Sequence, residues 1–315
     1  MAWLQSGVAK SGNLWLHNIL RSIALHGGIP QKSFIRNQPI HAVAKDWPLS
    51  FPGQADIDTL SINPHQCLYR ISGIFNMPIE DIDAYIAQCS HVWTQSYFWL
   101  SSAKVFPKFD KVLYIIRDPR DVVISMSRFT FTPYRLKYFP QADPSPETFL
   151  DRNLVESSRA WVRHVAGHLK EAKNLDIHII FYERLLKNFE EELSRLLAYL
   201  EVGLDKGGMA RVVEDARFET MKSVSPQHVR KGESSQWTGA LTDRQVQSVT
   251  SVAGALLKEL GYPLGKKEFL AKKDPLPFLD PTSGEIFGKI LARMERQVVV
   301  EKIQRAVATL FFSVK

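Results

Sequence analysis

The stretch KVLYIIRDPRDVVISMSRF, residues 111–129, constrains the fold more than any other. Its first part is a continuous apolar run without the alternation of a half-exposed strand. It reads as a strand covered on both faces. The second part starts at once: Asp118 can cap a helix and Pro119 suits its first turn. A covered strand that passes directly into a helix belongs to a mainly parallel sheet with helices packed on it. The pattern recurs. Residues 3–9 read as a short buried strand, and 13–25 carry Leu16, Ile19, Leu20 and Ile23 at helical spacing. DIHIIFY, 176–182, is another buried strand, with helical residues 183–200 after it. Residues 91–97 offer a further strand. The expected class is α/β, a mainly parallel central sheet flanked by helices.

Residues 147–172 predict a long helix with Phe149, Leu154, Trp161 and Val165 on its apolar side, and 243–260 predict another. Residues 28–66 are rich in Pro, Gly, Asn and aromatics and show weak periodicity. Residues 140–146 read as a linker. The expected division is one domain over 1–265, followed by a linker and a C-terminal amphipathic helix over 266–315. The length of 315 residues suits a full core. No run approaches the ~20 apolar residues of a membrane span. The first apolar run reads as a strand and not as a signal peptide. Cys67 and Cys89 suit a reducing compartment and lack metal-ligand spacing, so a cytoplasmic protein without a metal is expected. The net charge of +7 suits anionic ligands or an anionic surface.

Three stretches carry chemistry. GVAKSG, 7–12, joins the first strand to the first helix. Such a loop offers backbone N–H groups and the positive helix end to an anion. A nucleoside-triphosphate loop, however, has lysine after the second glycine and then a hydroxyl for magnesium. Here Lys10 comes before Gly12, and Asn13 and Leu14 stand in those places, so a metal-free diphosphate-type group fits better. Arg117 ends the strand 111–117, where ligands of open α/β sheets gather, and Ser125 follows two helical turns later. The third stretch, HVRKGESSQW (228–237), is a polar loop in which Arg230 and Lys231 precede Gly232. Arginine matches phosphate with a bidentate fork.

Together these stretches resemble the cytosolic-type sulfotransferase family that uses 3′-phosphoadenosine 5′-phosphosulfate (PAPS). VAKSGNLWL (8–16) is similar to its 5′-phosphosulfate loop, RDPRDVVISMSRF (117–129) to its 3′-phosphate motif, and RKGESSQW (230–237) to its RKG loop. HIIFYERL, RFETMK and AWVRHV resemble further family segments in order, over about residues 2–263. The resemblance implies the P-loop-like sulfotransferase fold. It implies PAPS as co-substrate, with no metal. Lys10, Ser11, Gly12, Asn13 and Leu14 would cradle the 5′ end, with Lys10 catalytic as well. Trp15 would stack on adenine, and Tyr182 and Phe218 would lie near the nucleotide. Arg117, Ser125 and the loop Arg230, Lys231 and Gly232 would hold the 3′-phosphate.

The implied function is transfer of a sulfuryl group to a hydroxyl of a small amphipathic or apolar molecule. The alternatives are N-sulfation of an amine and a non-catalytic PAPS- or PAP-binding protein. The family's K-T-H, whose histidine is the base, reads Trp93, Thr94 and Gln95 here. Glutamine cannot accept a proton at neutral pH. His91 and His41 are the candidate bases, although residues 91 and 95 of an extended strand lie about 13 Å apart at ~3.3 Å per residue. Aromatics near 93–99 and 129–139 suggest either core or an apolar acceptor wall. No nucleic-acid partner is expected. The tail opens on Thr282 and Glu285 as a capping box and continues with an apolar stripe including Ile286, Phe287, Ile290 and Met294. That stripe would bury itself on its own domain, across a homodimer, or on a peripheral membrane surface.

Overall fold

A computed structural model describes residues 1–217, 220, 232–280 and 284–312, with side chains of the last helix described to residue 301. The sheet has seven strands: β1 (Trp3–Gly7), β2 (Thr59–Ile62), β3 (Cys67–Ile71), β4 (Phe75–Pro78), β5 (His91–Thr94), β6 (Lys111–Ile116) and β7 (Ile177–Phe181). Their order is β4-β3-β2-β5-β1-β6-β7. The pairs of β1 with β5 and β6, of β2 with β5, and of β6 with β7 are parallel. Gly7 lies opposite Ile115 and Ser6 opposite Thr94. The chain leaves β1 to build one side of the sheet, then crosses β1 to build the other. The carboxyl end of β1 is therefore a topological switch point, where such sheets form a crevice.

Alternate residues of β6 explain the two layers. Val112, Tyr114 and Ile116 join a core with Trp161, Val165, Leu256 and Leu257. These four come from α7 (Pro146–Glu171) and α12 (Asp243–Glu259). Leu113 and Ile115 join a second core with Leu16, Ile19, Leu193 and Leu196. Those belong to α1 (Asn13–His26) and α9 (Phe189–Leu200). The short helices numbered between them include α5 (Pro119–Thr130), α6 (Pro133–Tyr138) and α8 (Tyr182–Lys187).

Three expectations change. The helix read over 183–200 is two helices, broken at Asn188, whose φ of −124° and ψ of 47° lie outside helical geometry. The strand read over 91–97 ends at Thr94. The weakly periodic segment reaching residue 66 contains β2, and β3 and β4 then extend the sheet by antiparallel pairing. The last helix, α14 (Gly284–Phe312), packs along α7. Phe287 and Met294 are buried in the same core as Trp161, and Arg159 pairs with Glu301 at 2.5 Å. The Thr282 cap lies outside the described residues.

Candidate functional site

At the switch point β1 turns into α1 through Val8–Gly12. Lys10 and Gly12 both adopt positive φ, 72° and 95°. Glycine is required at 12: a Cβ there would sit 2.6 Å from Cδ2 of Tyr182. The turn is held from inside. Ser11 N–H donates to the Val8 carbonyl at 3.1 Å, and Asn13 Nδ2 donates to the same carbonyl at 2.7 Å. Gln5 Nε2 donates to the Asn13 carbonyl at 2.6 Å. No side chain caps α1. Its first N–H groups therefore keep their donors for an anion.

A cavity of about 490 Å³ opens over this turn. Lys10, Gly12, Asn13, Leu14 and Trp15 line it from α1 and its loop. Arg117 and Ser125 line it from the end of β6 and from α5, and Tyr182 from the end of β7. Gly232 lines it as well, so the described end of the basic loop reaches the same cavity. That approach is fixed by α5: Trp237 N–H donates to Asp121 Oδ1 at 3.0 Å, and the Arg120 guanidinium lies 3.7 Å from the Trp237 ring centre. Ser11 is fully buried under the turn and is not part of the wall. Phe218, Arg230 and Lys231 lie outside the described residues.

The electrostatics favour an anion. Burial, and then the charge of Arg117, lowers the Lys10 ammonium to about 8. Arg117 donates to the carbonyls of Glu233 at 2.9 Å and Lys10 at 3.3 Å, and lies 3.5 Å from Asp121. Its Nε is buried without a partner among the described residues. The Arg117 guanidinium lies 4.2 Å from the Tyr182 ring centre. Trp15 packs edge-on to Tyr182 and stacks on Phe189, and its Nε1 donates to the Ala216 carbonyl at 2.8 Å. Glu183, missed as a site residue by sequence reasoning, braces the rear wall. It accepts from Asp118 N–H and from the Tyr262 hydroxyl, both at 2.9 Å. Burial pushes its carboxyl up to about 7.

Neither candidate base reaches this cavity. His91 pairs with Trp3 at the amino end of the sheet, opposite to the crevice. Its ring stacks on His17 at 4.7 Å, and burial beside His17 pushes its pKa well below the ordinary value. His41 is buried elsewhere, with Nε2 2.8 Å from Asp56. Gln95 does line the cavity. Its carbonyl accepts from His164 Nε2 at 3.2 Å, while His164 Nδ1 accepts from the Tyr114 hydroxyl at 2.8 Å. The expected aromatic residues line this cavity only in part. Trp93, Phe129, Tyr134 and Phe139 line it, whereas Tyr97, Trp99, Phe131 and Tyr138 do not. Arg70 and Arg135, which no motif marked, line it too.

The family profile of the Sulfotransferase domain matches residues 3–261. The chain belongs to the sulfotransferase-domain family. Within that family it is 28% identical over 114 residues to the amine sulfotransferase of Oryctolagus cuniculus, covering 36% of this chain and 37% of that one. It is 27% identical over 218 residues to human sulfotransferase 2B1, covering 68% of this chain and 50% of that one. The chain thus spans half or less of the length of these two sulfotransferases. Mouse sulfotransferase SULT7A1, solved in complex with PAP, superposes with a TM-score of 0.52 at 18% identity, covering 80% of this chain and 82% of that one. At that identity the likeness is one of sulfotransferase fold. No group of three or more His, Cys, Asp or Glu among the described residues is arranged for a metal ion. No helix among them is long and apolar enough to cross a membrane.

Proposed function

We propose that the protein moves the sulfuryl group of PAPS to a small-molecule acceptor, leaving PAP. The carrying observation is the meeting of two anion-binding devices on one cavity. One is the uncapped α1 turn with Lys10; the other is Arg117 with Ser125. The residues fit the nucleotide: Arg117 keeps a buried Nε with no partner among the described residues, and Lys10 is a buried ammonium. The α1 N–H groups of Asn13, Leu14 and Trp15 would hold the 5′ end. Arg117, Ser125 and the loop ending at Gly232 would hold the 3′-phosphate. Trp15 and Tyr182 would flank the adenine. When bound, PAPS supplies a sulfuryl group on a good leaving oxyanion. Lys10 would stabilise the negative charge left on the departing phosphate oxygen as the sulfuryl group passes to the acceptor, whose proton goes to solvent. The binding of PAP by the mouse relative supports this reading.

Calorimetry with PAP tests it. Arg117→Ala should weaken PAP by more than tenfold, since a charged hydrogen bond is worth about 1.5–3 kcal/mol. Equal affinity in both proteins refutes the assignment. PAP binding without transfer of labelled sulfate to any metabolite of an extract would leave a non-catalytic PAP-binding protein. A second acceptor class has a specific observation behind it. Gln95, which cannot take a proton, lines the cavity where neither His91 nor His41 does. A neutral amine attacks through its lone pair and needs no prior deprotonation. The similarity to an amine sulfotransferase agrees with N-sulfation.

A further inference from the structure

The cavity has a second positive end. Arg135 lies on α6 and Arg70 on β3, and both line the cavity from elements other than those that carry Lys10, Arg117 and Ser125. A chain of ring contacts places them. The Lys10 ammonium lies 4.2 Å from the centre of Phe129, and the Arg135 guanidinium 5.7 Å from that same centre. Those two cations are therefore no farther apart than the sum of the two distances. Arg135 also lies 4.1 Å from the centre of Phe139. The turn after β3 meets the same ring, since a Cβ on Gly73 would be 3.0 Å from Phe139 Cζ. Arg70 and Arg135 share one further neighbour, the buried Tyr134, whose hydroxyl contacts Ser72.

Neither arginine has a carboxylate partner among the described residues. Arg70 makes one hydrogen bond, from Nε to the Ser72 carbonyl at 2.6 Å. Its terminal amino groups make none to described residues. Among the described residues the Arg135 side chain makes only ring contacts, and its Nε is buried without an acceptor there. Burial is the largest influence on both guanidiniums and lowers both pKa values. Glu233 is the single carboxylate in the described wall; it stands against Lys10, Arg70, Arg117 and Arg135, and has its own partner in the fold. Partly buried guanidiniums with open forks fit an oxyanion.

We infer that the acceptor is itself an anion, an aromatic or amphipathic molecule whose carboxylate is held by Arg70 and Arg135 while its hydroxyl or amine faces Lys10. The inference rests on the sulfotransferase reading. Aromatic walls from Phe129, Tyr134 and Phe139 would cover the body of the molecule. The distance from Lys10 to Arg135 sets the span between nucleophile and carboxylate.

The test uses a matched pair of probes, 4-hydroxyphenylacetate and its methyl ester, measured by calorimetry on the full chain with and without PAP. The acid should bind roughly tenfold tighter than the ester or more, as loss of a charged hydrogen bond implies. Arg70→Gln and Arg135→Gln should each bring that ratio toward one while PAP affinity stays as in the unsubstituted protein. An ester that binds as tightly as the acid overturns the inference, as does binding of neither probe at about 10 mM. A parallel loss of PAP affinity in the Gln variants also overturns it, because the arginines would then serve the nucleotide. Failure of PAP to bind the unsubstituted protein refutes the sulfotransferase reading separately, since the probe ratio is measured without PAP as well.

Discussion

Binding of the nucleotide should draw a proton onto Lys10. In the free protein its ammonium is buried beside Arg117 and titrates at about 8, below the ordinary 10.5. A phosphosulfate or phosphate at the α1 turn supplies the missing negative charge and returns the pKa toward its ordinary value. Uptake on binding PAP is then about 0.1 proton at pH 7, about 0.5 at pH 8 and about 0.9 at pH 9. PAP affinity should fall about tenfold from pH 7 to pH 9, because the free protein must first gain the proton. The phosphates of PAP, with second pKa values near 6, are still about one-tenth protonated at pH 7 and contribute little from pH 8 upward, so the Lys10 uptake is read at pH 8–9. The assay is calorimetry in pairs of buffers with different ionisation enthalpies, whose difference in apparent heat counts the protons. Lys10→Met should abolish the uptake. No uptake at pH 8–9 in the unsubstituted protein refutes the reasoning, and so does equal uptake in Lys10→Met. The sign for stability follows from the same shift. Without nucleotide, the unfolded chain keeps its proton longer between about pH 8 and 10.5, so the Lys10 penalty fades and the fold gains stability as pH rises through that window.

Gly12→Ala should remove PAP binding and lower the melting temperature, since a positive φ of 95° and a Cβ 2.6 Å from Tyr182 leave no room at the turn; normal PAP affinity would show that the turn yields. His91→Ala and His41→Ala should each keep turnover within about twofold, because neither side chain lines the cavity; a loss approaching the 10²-fold expected of a general base would restore one of them. Phe287→Ala should cost about 3–5 kcal/mol, read as a fall in melting temperature with PAP binding kept, because Phe287 is buried in the core shared with α7. An unchanged melting temperature there, or on deleting 281–315, would separate α14 from the core.

The elements legible in the sequence are those buried on both faces. All five residues of β1 are buried although Gln5 and Ser6 are polar, β6 and β7 are apolar but for Lys111 and His178, and two glycines and a proline punctuate the turns after β1 and β6. The antiparallel edge was not legible because β3 and β4 are half exposed and only five and four residues long, so little periodicity develops. The break at Asn188 has no Gly or Pro to announce it. The Lys10 and Arg117 side of the cavity could be read because its residues sit in contiguous motifs at strand ends. The Arg70 and Arg135 side could not, since Arg70 comes from the short antiparallel strand β3 and Arg135 from a short helix, and only the fold brings them to one cavity. The place of the candidate base His91 was misjudged for a related reason. Sequence spacing put His91 on a strand near Gln95, but the direction of that strand puts His91 at the end away from the crevice.

The central position of β1 has a consequence for synthesis. Both of its partners are made long after it: β5 follows by most of a hundred residues and β6 by somewhat more. At about 5–20 residues per second, the strand waits on the order of ten seconds with both edges unpaired. During that time Leu4 lacks the later-made side chains of its core, Trp161 and Leu256 among them, and Trp3 has only the α1 part of its own. The nascent chain therefore carries an apolar strand that suits a holding chaperone, and slower translation between residues 7 and 111 should lengthen the hazard, whereas a pause after β6 should not.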